Sequence, residues 1–176
     1  MNSKTLQKIL AHLVPGIAST LVSAGEFKAT IEIPRLNVAE YHRPYVAAWI
    51  ETPDREVTAN LALWYDLEMR DREGETWLKD LRQWWRKSGR SLDLPIDGLS
   101  RPTQPAGIHE VSVDMTGEPL SELAEGDYFL VVEAAREVGG RELLRLPFNW
   151  SKGKAVDVTM AGERELGTVS LKIENN

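Results

Sequence analysis

An immunoglobulin-like antiparallel β-sandwich with one inserted amphipathic helix is the fold class this sequence predicts. Three observations lead there. After residue 25, apolar and polar residues alternate with period two through most of the chain, the spacing of strands with one buried face. Turn residues separate these runs at short intervals. One stretch alone, near residues 75–87, changes to helical spacing.

Taken in order, Phe27, Ala29, Ile31 and Ile33 alternate with Lys28, Thr30 and Glu32, and Pro34 ends this first strand. Tyr45 to Glu51 is nearly all apolar and reads as a central strand. Val57 to Asp66 alternates again, with Leu61, Leu63 and Tyr65 on one face, and Pro53-Asp54 predicts a hairpin turn between the two runs. Trp77, Leu78, Leu81, Trp84 and Trp85 then follow the spacing of one helical face, which predicts a helix from about Glu75 to Lys87, closed near Gly89. Residues 91–107 carry Pro95, Pro102, Pro105, Gly98 and Gly107 and read as a long loop or linker, a kind of segment that is often functional. Strand signals resume at Ile108–Met115 and again from Gly126 to Glu137. Gly139-Gly140 predicts a two-residue type I′ turn with both central residues at positive φ. The return strand puts Leu144, Leu146, Phe148 and Trp150 on one face, and Val156–Met160 and Val169–Ile173 supply the last two strands, about eight in all.

The chain has 176 residues, a formal charge of −6, three His, six Trp and no Cys. The length fits one domain, and the missing Cys removes disulfides, zinc–thiolate sites, iron–sulfur clusters and cysteine nucleophiles from consideration. Outside the N-terminus no apolar run reaches the about eighteen residues that a membrane-spanning helix needs. Residues 1–24 hold Lys4 and Lys8, an apolar run from Ile9 to Ala18 and the small-residue end Val22-Ser23-Ala24. This is the pattern of a signal peptide cleaved after Ala24, which leaves 25–176 as one exported domain. The alternative is an amphipathic first helix of a cytosolic protein: His12 is an unwelcome residue in the apolar run of a signal, while Pro15-Gly16 reads as a helix break.

Two groups of residues carry chemistry. Lys79, Arg82, Arg86, Lys87 and Arg90 crowd the helix and its flank against the single acid Asp80. Beside them, the adjacent Trp84 and Trp85 cannot both be buried by one narrow seam. An aromatic wall flanked by Arg82 and Arg86 would suit a planar anion such as a flavin phosphate or a haem propionate; the plainer reading is a solvated helix face. His42, within Tyr41-His42-Arg43-Pro44-Tyr45, and His109 are the metal-ligand candidates, or else hydrogen-bonded structural residues. Phosphate-cradling loops, dinucleotide fingerprints, H-E-x-x-H and G-x-S-x-G are absent, and the acidic charge argues against nucleic acid.

Several segments together resemble the predicted periplasmic proteins of domain-of-unknown-function family 2271: Ile33 to Glu51, Leu61 to Asp66, Trp77 to Lys87, and Tyr128 to Trp150 centred on Glu133–Leu143. That resemblance implies an exported protein found with flavin-transfer, membrane-reductase and iron-uptake components, and so a redox or iron-uptake accessory with a membrane-bound reductase or uptake component as partner. Asp114 to Ala134 is also similar to immunoglobulin-like modules of flagellar hook-capping proteins, which bears on the fold alone. Family members often carry a loop that looks like a site where a flavin transferase esterifies FMN onto threonine. Here Asp97, Ser100 and Thr103 match that loop, whereas Arg101 and Pro102 depart from it. The expectation is a non-enzymatic exported binding protein whose working edge joins the helix to Asp97–Thr103, holding a flavin or another planar anionic cofactor. The alternatives are an interaction module without a ligand and a haem or metal carrier.

Overall fold

A computed structural model describes residues 25–174; the expected signal segment 1–24 lies outside the described residues. Among the described residues, nine strands form two sheets. β1 (Glu26–Ile33), β5 (Gly107–Asp114), β8 (Val156–Ala161) and β9 (Thr168–Glu174) make one, in the order β5-β1-β9-β8. β2 (Tyr45–Glu51), β3 (Val57–Tyr65), β4 (Ser100–Pro102), β6 (Gly126–Ala135) and β7 (Arg141–Trp150) make the other, in the order β4-β3-β2-β6-β7. Every pairing is antiparallel except β3 with β4.

The sandwich core lies between the sheets. Phe27, Ala29, Ile31 and Ile33 of β1 face Val46, Ala48 and Ile50 of β2 and Leu144, Leu146 and Phe148 of β7. A second core lies on the outer face of the five-stranded sheet, where Ala47, Trp49, Leu63 and Tyr65 meet Leu78, Leu81 and Trp84. This double cover explains the unbroken apolar run of β2, whose residues from Val46 to Glu51 are all buried. The β2–β3 hairpin and the central place of β2 match the sequence reading.

Three sequence expectations change. The single helix is two short ones, α1 (Glu73–Thr76) and α2 (Arg82–Lys87), separated by a 3-10 turn at Trp77–Asp80. The chain leaves helical geometry at Leu81, with ψ 69°. The cause is Glu133 on β6. Its carboxylate accepts from the backbone N–H groups of Gln83 and Trp84, at 3.0 and 2.9 Å, which an unbroken helix would pair with carbonyls four residues earlier. The apolar spacing was informative all the same, because Leu78, Leu81 and Trp84 are the buried residues. Second, the 91–107 segment contains β4, which docks on the edge of β3. Third, Gly139 and Gly140 are not at positive φ; Val138 is, at 51°. The two glycines make room instead. A Cβ on Gly139 would lie 2.5 Å from the Arg136 guanidinium carbon, and one on Gly140 would lie 2.7 Å from Glu165 Oε1. These two positions admit a buried, bidentate Arg136–Glu165 pair that ties the end of β6 to the β8–β9 turn.

Candidate functional site

Strand direction brings several chain segments to one end of the five-stranded sheet. β2 starts there, while β3, β4 and β6 end there. The segments leaving those ends are the loop before Tyr45, the turn Asp66–Met69, Thr103, and Arg136–Glu137. With Trp77 and Asp80 from the helical layer, they enclose a cleft of about 360 Å³.

Its walls are aromatic, and its charged groups are three acids and two arginines. Trp77, Tyr41 and Met69 leave 41%, 39% and 36% of their surface to solvent, so the cleft offers apolar faces that the fold itself does not use. Lys79 Nζ lies 5.5 Å from the Trp77 ring centroid. His42 sits between two carboxylates, with Nε2 3.1 Å from Glu40 and Nδ1 3.5 Å from Glu137. Asp66, Asp80 and Glu137 contribute negative charge and Arg43 positive charge, while Arg136 is already committed to Glu165. Tyr45 packs edge-on against Tyr65 at 6.3 Å. Burial raises the Tyr45 phenol above its ordinary value of 10.0, against the lowering effect of a backbone hydrogen bond at Asp66, so it remains a neutral hydroxyl at physiological pH.

Of the residues singled out from sequence, Thr103 and His42 line this cleft together. The Thr103 side chain is half-buried and its hydroxyl makes no hydrogen bond among the described residues. Ser100 and Asp97 are turned to local structure: Ser100 Oγ accepts from Ile96 N at 3.0 Å, and Asp97 accepts from Gly98 N at 3.0 Å. The expected wall of Trp84 and Trp85 is not built. Trp84 is fully buried and donates from Nε1 to Asn60 Oδ1 at 2.9 Å, and Trp85 is half-buried against the outer core. Arg86 is exposed and donates to Gln83, whereas Arg82 lines a neighbouring depression beside Trp77 and Asp80. The physical reason is that Trp84 shares the outer core with Leu78 and Leu81, which leaves Trp77 as the exposed indole.

The two histidines do not combine into a metal site. His109, on β5, donates from Nε2 to the Pro105 carbonyl at 2.7 Å and packs edge-on against Trp64. Among the described residues, no group of three or more His, Asp or Glu is arranged to hold a metal ion. Trp77, Tyr41, Met69 and Asp66 were missed as site residues. One signal was available for Trp77: it is adjacent to Leu78, and both cannot point into the same seam.

The family model of predicted periplasmic proteins (DUF2271) matches residues 26–168, most of the chain. The chain belongs to this family. Membership agrees with the export expected from the N-terminus and with the periplasmic location that the resemblance implied. Comparison with curated proteins and with solved structures gave no match. No helix among the described residues is long and apolar enough to cross a membrane.

Proposed function

We propose that this DUF2271 protein is a non-enzymatic periplasmic accessory that holds a flat aromatic ligand in the cleft at the end of the five-stranded sheet. The observation that carries the reading is the meeting of Thr103 and His42, distant in sequence, with the exposed rings of Trp77 and Tyr41. Ring faces and one unpartnered hydroxyl are what the cleft leaves free, while its histidine is already flanked by Glu40 and Glu137. Such a lining suits stacking and orientation of a bound ring. The resemblance to its family supplies the setting, redox or iron uptake beside a membrane-bound reductase or uptake component, and makes a flavin the first ligand to test.

A covalent FMN on Thr103 is the second reading. The free hydroxyl in the cleft favours it. The strand Ser100–Pro102, paired with Leu63–Tyr65, opposes it, because a modifying enzyme would have to peel β4 from the sheet.

The test is titration of the purified protein with riboflavin and FMN, followed by quenching of Trp77, together with intact mass after co-expression with a flavin transferase. Saturable quenching that Trp77→Ala weakens at least about tenfold supports the cleft, since one stacked ring is worth roughly 1–3 kcal/mol. A mass gain of one FMN that Thr103→Ala removes supports the covalent form. Folded protein that takes up neither flavin is an interaction module.

A further inference from the structure

On the outer face of the same sheet, between α2 and β7, a groove of about 230 Å³ collects cations from three elements. Arg55 comes from the β2–β3 turn, Lys87 from α2, and Arg141 and Arg145 from β7. Gln83 adds a neutral amide. Two buried carboxylates fix the heads of three of these cations. Glu51, 2% exposed, sits 3.2 Å from Lys87 Nζ and 2.8 Å from Arg145 Nη2, and it also accepts from Trp49 Nε1 at 3.1 Å. Glu133, fully buried, sits 2.8 Å from Arg141 Nη1. Arg145 stacks on Phe129, with its guanidinium carbon 4.1 Å from the ring centroid, which fixes the plane of the fork.

Four cations against two carboxylates leave two positive charges in excess, in a chain whose net charge is −6. The surplus is not evenly spread. Arg55 makes no ion pair among the described residues, and Arg145 Nε is buried without a hydrogen-bond partner. Buried polar groups are almost always paired, so an unpaired donor beside a cationic groove points to a ligand that supplies the acceptor. The groove is smaller than the about 300–1,000 Å³ typical of drug-sized ligand sites. Its donors converge from a turn, a helix and a strand rather than from one planar fork. That arrangement suits a tetrahedral oxyanion better than a flat carboxylate.

We propose that this groove binds a small tetrahedral dianion, a phosphate or sulfate group, free or at the end of a small molecule, through Arg55, Arg141, Arg145 and Lys87. The site is independent of the aromatic cleft, and either can stand without the other. Glu51 and Glu133 are its positioning residues, holding cation heads without touching the anion.

The experiment is calorimetric titration of the full chain with inorganic phosphate, sulfate and succinate at fixed ionic strength, for wild type, Arg55→Gln and Arg141→Gln. Arg55 has no partner to lose, so Arg55→Gln keeps the fold, and a matching thermal midpoint checks this. Saturable binding of phosphate or sulfate is expected, weakened at least about tenfold by each substitution, as loss of one charge-assisted hydrogen bond implies. If phosphate is the better ligand, its binding strengthens as the pH rises from about 6 to 8, because the dianion forms over that range; if sulfate is, binding is flat across it. No saturable heat with either oxyanion, equal affinity for succinate, or affinity unchanged in both variants would overturn the proposal.

Discussion

The cleft and the groove lie on one sheet and are built in opposite ways. The cleft is assembled from segments leaving the strand ends, and its key groups are exposed rings and an unpartnered hydroxyl. The groove is assembled over strand faces, and three of its four cations are held by carboxylates that are themselves buried. A side chain at a strand end is free to serve a ligand because little of the core depends on it. A charge on a strand face must first be satisfied by the fold, so structure and function share the same residues there. Substitutions in the two regions should therefore part company. At the paired groove residues they cost stability, with the unpaired Arg55 as the exception; in the cleft they cost binding alone.

The largest effect belongs to the layer that separates the two sites. Trp84 is fully buried between α2 and the sheet, and Gly89 packs so closely on it that a Cβ there would lie 2.4 Å from the indole. Trp84→Ala is expected to cost about 3–5 kcal/mol in urea unfolding, as large aromatic deletions do. Glu133→Ala comes next. It removes the acceptor for two α2 backbone N–H groups and the partner of Arg141, and about 3 kcal/mol is expected, near the low end for a broken buried pair because Arg141 reaches solvent. A loss below about 1 kcal/mol for both variants would show that the helical layer is not anchored through these contacts.

How much of this could be read beforehand follows the same division. Strand faces were legible because burial imposes a period: the alternation in β1 and the unbroken apolar run in β2 both report which sides are covered. Spacing also picked out Leu78, Leu81 and Trp84. The break at Leu81 was not legible, because its cause is a carboxylate some fifty positions further on in β6. The glycines at 139 and 140 misled for a related reason. They looked like turn residues, yet they serve the Arg136–Glu165 pair, and Glu165 enters from another hairpin. Thr103 and His42 were identified separately, but nothing local said that they share a cleft. Arg55 and Arg145 were passed over because a cation on an alternating strand or in a turn looks solvated until its neighbours are known.

Cleft substitutions supply the contrasting result. Trp77→Ala and His42→Ala remove groups that are exposed or held only by surface ion pairs, so each should change unfolding free energy by less than about 1 kcal/mol. Acrylamide quenching sharpens this comparison. Trp77 is expected to be accessible while Trp49, Trp64 and Trp84, at 0%, 2% and 0% exposure, are protected. Loss of most of the accessible component in Trp77→Ala, with the fold intact, would place that signal at the cleft; its survival would assign it to the half-buried Trp85 and Trp150 instead.

The smallest expected effect concerns the cleft's support from behind. Glu142, on β7, accepts from the backbone N–H groups of Glu163, Arg164, Glu165 and Leu166 and so shapes the turn that presents Glu165 to Arg136. Burial works to raise its carboxyl, but the four backbone donors outweigh that and hold it below its ordinary value of 4.5. The folded state therefore binds the Glu142 proton less readily than the unfolded chain. Its contribution to stability is complete above pH 4.5 and is lost as the pH falls through the folded-state value. Unfolding midpoints measured from pH 7 down to about 3 should fall for wild type, with part of the slope removed in Glu142→Gln, which is already weaker at pH 7. Because Glu142 is partly exposed, the difference should be smaller than for Glu133→Ala. Parallel curves for the two proteins would mean that the turn holds its shape without the carboxylate, through the bonds of Glu165 to Arg136 and to the Gly140 backbone.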